Sequence, residues 1–250
     1  VKYVIIPCEV IMATYIFDID GTLTPPRQKM TDDFLGFFRQ FARDYKVYLC
    51  TGSDWLKVQE QVPQEILDLV KGVFTCSGNA FWKDGKEDLT LRSNWVASSD
   101  LLEDLQGFVS RSRSPHITSR HLEQRIGMLN FSTIGRGCSQ AQRENYEEWD
   151  NVEKERRHIV DVMSAKYPDL DFNIGGQISI DIHPKGNDKS RAVMLVQEWA
   201  TDDVLFFGDR LFPGGNDWAV RKVLPENRTF LVDNWEDTLE TLKHHELFMV

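Results

Sequence analysis

Hydrophobic positions along this chain recur with two different periods. Thr14–Asp18 (TYIFD) is a short apolar and aromatic run closed by an acid and, soon after, a glycine; it predicts a buried strand. Thr31 stands where a helix cap belongs, and Phe34, Leu35, Phe37, Phe38, Phe41 and Ala42 then repeat at helical spacing. Val47–Cys50 predicts a second strand, with a Thr-Gly-Ser-Asp turn behind it. Trp55–Val70 predicts a helix interrupted at Pro63, whose ring cannot sit in a helix interior. Val73–Cys76 predicts a third strand. Strands and helices in this alternation specify a parallel sheet with helices on both faces.

The rhythm changes at Lys83-Asp84-Gly85-Lys86, a hairpin-turn signal. His116–Gln124 and Ile126–Ile134 predict two adjacent strands, and Ser139 caps a long charged helix that runs to Tyr167. Asp171–Ile174 and Ile178–His183 predict two further strands, so this stretch reads as α+β with an antiparallel sheet. From Lys189 the first rhythm resumes: a helix to Ala200, strand Val204–Gly208, a glycine loop and helix, strand Thr229–Val232, and a last helix. The expected fold class is α/β, a doubly wound, Rossmann-like parallel sheet formed by residues 1–82 and 187–250, with an inserted α+β domain over residues 83–186.

Length and charge narrow the classes of function. At 250 residues the chain can bury the core of one large domain or two modest ones. Lys and Arg total 29 against 39 Asp and Glu, a net charge of −10, which argues against nucleic acid or an anionic membrane as partner. No apolar run approaches the ~18 residues of a membrane-spanning helix. Cys8, Cys50, Cys76 and Cys138 are far apart and lack metal-site spacing; they read as reduced thiols, and the cytoplasm as the compartment. Val1–Ile11 is apolar without the layout of a secretion signal, which leaves Met12 as a natural start or the stretch as an added edge strand.

The chemistry-bearing residues sit at predicted strand ends, where open α/β sheets bind ligands. Asp18-Ile19-Asp20-Gly21-Thr22 puts two carboxylates at the end of the first strand, able to hold a hard cation and to offer a nucleophile. Gly208-Asp209-Arg210 and Gly214-Gly215-Asn216-Asp217 follow another apolar strand. Asp209 is placed to complete a magnesium site with Asp18, and Asp217 to support it directly or through water. The Thr51-Gly52-Ser53 turn offers hydroxyls and amides to a phosphate oxygen, and Lys189 at a helix start can neutralise charge on a transferring phosphoryl group.

These four pieces, in this order, resemble the haloacid dehalogenase superfamily of phosphotransferases. The runs DIDGTLTPPRQK (18–29), RIGMLNFSTIGRGCSQ (125–140), GGQISIDIHPKGNDK (175–189) and FFGDRLFPGGND (206–217) closely resemble eukaryotic-type phosphomannomutases. The resemblance implies a catalytic core with a substrate-binding cap. It implies that mannose 6-phosphate and mannose 1-phosphate are interconverted through an aspartyl phosphate on Asp18, as a step towards GDP-mannose, with glucose phosphates as further substrates. Asp20 would be the acid and base; Asp18, the Asp20 carbonyl and Asp209 would hold Mg²⁺. A hexose 1,6-bisphosphate would be the activator, and the chain a homodimer joined through the cap. Arg27, Arg125, Arg136 and Arg143 are implied to contact substrate, and Ser179 and Asp181 its hydroxyls or phosphate. The cap composition agrees: residues 110–145 hold six arginines, no lysine and two acids, and the guanidinium fork suits phosphate. Thr51 stands where this family usually has glycine, and Asn187 where it has tryptophan. The alternative activity is therefore a Mg²⁺-dependent sugar-phosphate phosphatase with the same Asp18 and Asp20.

Overall fold

A computed structural model describes residues 13–248; the expectation for Val1–Ile11 lies outside them. The first lobe contains β1 (Ala13–Phe17), α1 (Asp32–Asp44), β2 (Lys46–Cys50), α2 (Trp55–Gln61), α3 (Gln64–Leu67), β3 (Gly72–Thr75), β4 (Ala80–Lys83) and β5 (Lys86–Glu87). The chain then builds α4 (Ser99–Arg111), β6 (Leu122–Arg125), β7 (Met128–Phe131), α5 (Gln140–Glu153), α6 (Glu155–Lys166), β8 (Leu170–Gly175) and β9 (Ser179–Pro184). It returns through α7 (Lys189–Trp199), β10 (Asp203–Gly208), β11 (Thr229–Leu231) and α8 (Trp235–Phe248).

The larger sheet runs β11-β10-β1-β2-β3-β4-β5, parallel from β11 to β3 and antiparallel beyond. Every residue of β1 is buried, as a central parallel strand covered on both faces must be. Tyr15 and Phe17 pack with Phe38, Phe41 and Phe207 on one face; Ile16 and Phe206 meet Val193 and Val196 of α7 on the other. The Phe17 ring meets that of Phe38 edge-on, 5.3 Å apart. Thr31 does cap α1, its hydroxyl accepting the Phe34 amide. The predicted helix 55–70 is two short helices on either side of Pro63.

The smaller sheet runs β6-β7-β9-β8, all antiparallel. On β9 the side chains alternate: Ile180 and Ile182 pack with Leu105 of α4 and Met163 of α6, while Ser179 and Asp181 point to the opposite face. That opposite face looks at the carboxyl end of the larger sheet, and Ile174 donates its amide to Gly214 O across the gap at 2.9 Å.

Several expectations are corrected. The hairpin at 83–86 joins β4 to β5 inside the larger sheet, so that sheet extends through Glu87, past the expected boundary at residue 82. The stretch 116–121 carries no ladder; β6 starts only at Leu122, after Arg120 turns left-handed at φ 60°. The second expected strand shortens to β7, because Gly127, at φ 63°, makes the turn between the two. The long charged helix breaks at Lys154, φ 58°, because the Asp150 carboxylate takes both the Arg156 amide (2.9 Å) and its Nε (2.7 Å) and folds the chain back. The glycine loop leads into short 3-10 turns, Trp218–Lys222 and Glu226–Arg228, with Pro225 between them preventing a longer helix. Helix α4 is an addition to the expected elements: Ser98 caps it, and Leu101, Leu105 and Val109 bury one face. Among the described residues no helix is long and apolar enough to cross a membrane.

Candidate active site

Asp18 leaves the end of β1, and its amide donates to Phe207 O of β10 at 2.9 Å. Asp209 leaves the end of β10. From β1 the chain winds one way through β2 and β3, then returns to lay β10 on β1's other side. The two carboxylates therefore emerge together at the switch point where open α/β sheets bind ligands. One oxygen from each of Asp18, Asp209 and Asp217 lies within 4.8 Å of the others. Lys189, fully buried in the first turn of α7, donates to Asp18 Oδ1 at 2.7 Å and to Asp217 Oδ1 at 2.6 Å. Asp217 Oδ2 accepts the Arg210 amide at 3.0 Å, so protein groups occupy both its oxygens. Gly21, at φ +84°, passes so close that a Cβ there would lie 2.6 Å from Asp209 Oδ2; a side chain has no room.

Electrostatics mark this end as short of positive charge. Burial drives the Asp18 carboxyl well above its usual range, with Lys189 opposing and Asp217 and Asp209 adding repulsion. Burial pushes Asp209 up to about 7, against the pull of Arg210 and with repulsion from Asp217. Burial disfavours the Lys189 charge, yet Asp18 and Asp217 hold that ammonium well above its ordinary value. Asn216 Oδ1 is buried without a hydrogen bond among the described residues, and Asn216 lines the cavity. An all-oxygen donor set with surplus negative charge fits a hard divalent cation. Asp18 and Asp209 are the groups able to hold it, and Asp217 stands behind them.

The Asp20 side chain is not part of this cluster. Its Oδ1 accepts the Arg27 amide (2.7 Å) and Gln61 Nε2 (2.9 Å), and its Oδ2 accepts Ser53 Oγ (3.3 Å). Thr51 is buried, and its hydroxyl accepts the Ser53 amide at 3.1 Å, which shapes the turn.

Opposite lie the arginines. Arg125 ends β6 and donates from Nη1 to Gly52 O, across the gap, at 2.5 Å. Arg136 follows β7 and donates to Asn130 Oδ1 at 2.5 Å and to Ser179 Oγ at 3.5 Å. Asn130 Nδ2 in turn donates to Asp181 Oδ1 at 2.7 Å. The Arg143 side chain, in the first turn of α5, makes no hydrogen bond or ion pair among the described residues, while its amide donates to Ser139 O at 3.1 Å. Burial and then Arg125 lower Arg136 to about 10. Two buried donors, Arg27 Nη1 and Arg125 Nη2, have no partner among the described residues.

A single cavity of about 60 Å³ joins the two ends. Asp18, Asp20, Arg27, Thr51, Ser53 and Asp209 line it from the larger sheet's lobe, and Arg125, Arg136, Arg143, Ser179 and Asp181 from the other. Lys189 and Asp217 sit behind the wall, fully buried. Sequence reasoning missed Gln61, Glu123, Asn130 and Asn216. The last lies within the glycine loop, and Asn130 and Glu123 share strand faces with residues already singled out; that alternation was the available signal.

A family model described as eukaryotic phosphomannomutase matches residues 34–249. Curated relatives called phosphomannomutase include those of Spinacia oleracea and Triticum aestivum. The first is 34% identical over 211 residues, 82% of this chain and 84% of the relative. The second is 34% identical over 236 residues, 91% and 93%. Solved structures share the fold at low identity. Thermoplasma acidophilum 0175 matches with a TM-score of 0.58 at 18% identity, covering 95% of this chain and 99% of that one. The Synechocystis sucrose-phosphatase matches with a TM-score of 0.54 at 14% identity, covering 94% and 98%. The matched span, the identity and the mutual coverage place this chain in the eukaryotic phosphomannomutase family.

Proposed function

We propose that this chain interconverts mannose 6-phosphate and mannose 1-phosphate, with Mg²⁺ as cofactor, a hexose 1,6-bisphosphate as activator, and a phosphoryl group carried on Asp18. The observation that carries this reading is one cavity with Asp18 and Asp20 at one end and Arg125, Arg136 and Arg143 at the other. A hexose bisphosphate has a phosphate for each end.

Lys189 engages Asp18 Oδ1, which leaves Oδ2 as the oxygen free to attack phosphorus. As that bond forms, the bond from phosphorus to the sugar oxygen breaks, and Asp20 protonates the departing oxygen. The Arg27 amide, Gln61 and Ser53 hold the Asp20 carboxyl for that transfer. In the second half, the hydroxyl at the other sugar position gives its proton to Asp20 and takes the phosphoryl group from Asp18. Lys189 and the Thr51–Ser53 turn neutralise and hold the phosphoryl oxygens. Mg²⁺ bound at Asp18 and Asp209 supplies further charge neutralisation. The arginines grip the phosphate that does not react, and Ser179 and Asp181 take sugar hydroxyls.

A cavity of about 60 Å³ is far smaller than the ~300 Å³ of an ordinary ligand pocket, so the lobes must part to admit a sugar phosphate and close again to exclude water. In this reading residues 93–186 act as the cap. The free thiols of Cys50, Cys76 and Cys138 support a cytoplasmic location. Val152 and Val162, exposed on the cap, offer apolar surface to a second copy in a homodimer.

The test supplies mannose 1-phosphate with catalytic glucose 1,6-bisphosphate and Mg²⁺. Mannose 6-phosphate forming faster than inorganic phosphate supports the mutase. Phosphate alone reassigns the site to hydrolysis.

A further inference from the structure

Glu123 is an acid set among bases. On β6 it shares a face with Arg125, two residues on, and its Oε1 accepts Arg125 Nε at 2.7 Å. Its Oε2 lies 3.2 Å from Arg136 Nε. The same carboxylate is hydrogen-bonded by Lys57 Nζ, which comes from α2 in the other lobe. Lys57 is itself fixed by Asp54, the cap of α2, at 2.7 Å. Burial opposes the Glu123 charge, but Arg125 and Arg136 hold its carboxyl down at about 2.

Arg125 has three donor nitrogens with separate fates. Glu123 takes Nε, Gly52 O takes Nη1, and Nη2 is buried without a partner among the described residues. Two of these contacts, Lys57 to Glu123 and Arg125 to Gly52, cross between the lobes. Arg125 also lines a second, larger cleft of about 590 Å³, which Lys57 and Glu123 line as well. Arg125 lines both and so forms part of the partition between that cleft and the central cavity, with Lys57 and Glu123 backing it on the cleft side.

We propose that Glu123 is a positioning residue that, clasped by Lys57 when the lobes meet, spaces and aims Arg125 and Arg136 for the phosphate that does not react, so that closure and assembly of the phosphate grip are one event. This rests on the reading that those arginines bind phosphate. Without Glu123, two neighbouring guanidinium groups repel, and Arg125 loses the contact that fixes its plane. Without Lys57, the grip forms but is no longer tied to closure, and the partition against water opens.

The test uses the full chain with mannose 1-phosphate, glucose 1,6-bisphosphate and Mg²⁺, and the melting temperature of each variant is recorded. Glu123→Gln keeps the shape and removes the charge; KM for mannose 1-phosphate rises about tenfold while kcat stays within about threefold. Lys57→Met raises KM less and increases inorganic phosphate relative to mannose 6-phosphate; Lys57→Arg restores both. The double variant E123Q/K57M matches E123Q alone in KM, because both act through one carboxylate. Additive losses, or unchanged KM and product ratio in both single variants, overturn the proposal. Arg125→Gln separates it from the reading beneath: if its KM is unchanged, the phosphate grip itself falls, whatever Glu123 does.

Discussion

At the acidic end of the cavity Asp18 and Asp209 are placed by backbone; the basic end is held by side chains. Asp18 and Asp209 stand where they do because β1 and β10 are neighbours in register, with Phe17 opposite Phe207. Lys189 opens a helix whose cap, Asp188, accepts the Ser190 amide at 2.8 Å. Arg125, Arg136 and Asp181 instead depend on Glu123, Asn130 and Gly52, through hydrogen bonds that partly span the two lobes. A strand-end group is fixed as soon as the sheet forms. A side-chain network is complete only when the lobes meet. The first arrangement suits groups that must not move during chemistry; the second suits groups that must release a sugar phosphate and take it back.

Substitutions at the two ends should therefore fail differently. Asp18→Asn is expected to cost the most, on the order of 10⁴-fold or more in turnover, with no phosphoprotein trapped from labelled bisphosphate. Sugar-phosphate binding at the arginines, measured by calorimetry, should persist, and near-normal turnover would remove Asp18 as nucleophile. Asp20→Asn is expected to slow turnover by about 10²–10⁴-fold, with Asp18 in place. Rates within a few-fold of the parent chain would assign proton transfer elsewhere.

At the basic end, Arg136→Gln is expected to raise KM by about 10- to 100-fold, the loss of one charge-assisted contact, with kcat within a few-fold. A fall in kcat with KM unchanged would erase the proposed division of labour.

The last effect is one of pH, read in stability and not in turnover. In the absence of divalent cation, Asp209 titrates at about 7 in the folded chain, against about 3.9 when unfolded. Stability from this raised group is full below about pH 4 and is lost as pH rises through about 7. The melting temperature in EDTA should therefore decline across that window, and Mg²⁺ at pH 7 should recover the loss. A profile identical with and without Mg²⁺ would remove the cation from this end.

Some of this was legible residue by residue. TYIFD followed by Asp20 and Gly21, and VLFFG followed by Asp209, each mark a buried strand delivering an acid to its end. Ser179 and Asp181 alternate with Ile180 and Ile182, so their shared face is fixed by strand period alone. The break at Lys154 was not legible, because it depends on Arg156 reaching both Asp150 and Gly176 O. Nor was the place of the 83–86 hairpin, since a turn signal does not say which sheet its strands join. Glu123 and Gln61 carry no local signature; their meaning lies in partners 66 and 41 residues away.

The sequence by itself determined which groups are available and that they sit at strand ends, because side-chain chemistry and strand period are local properties. Only the tertiary structure decided that β10 returns beside β1 and that the second sheet turns its polar face towards them. Those placements depend on burying the aromatic and aliphatic faces of both sheets at once, and no local stretch of chain encodes that.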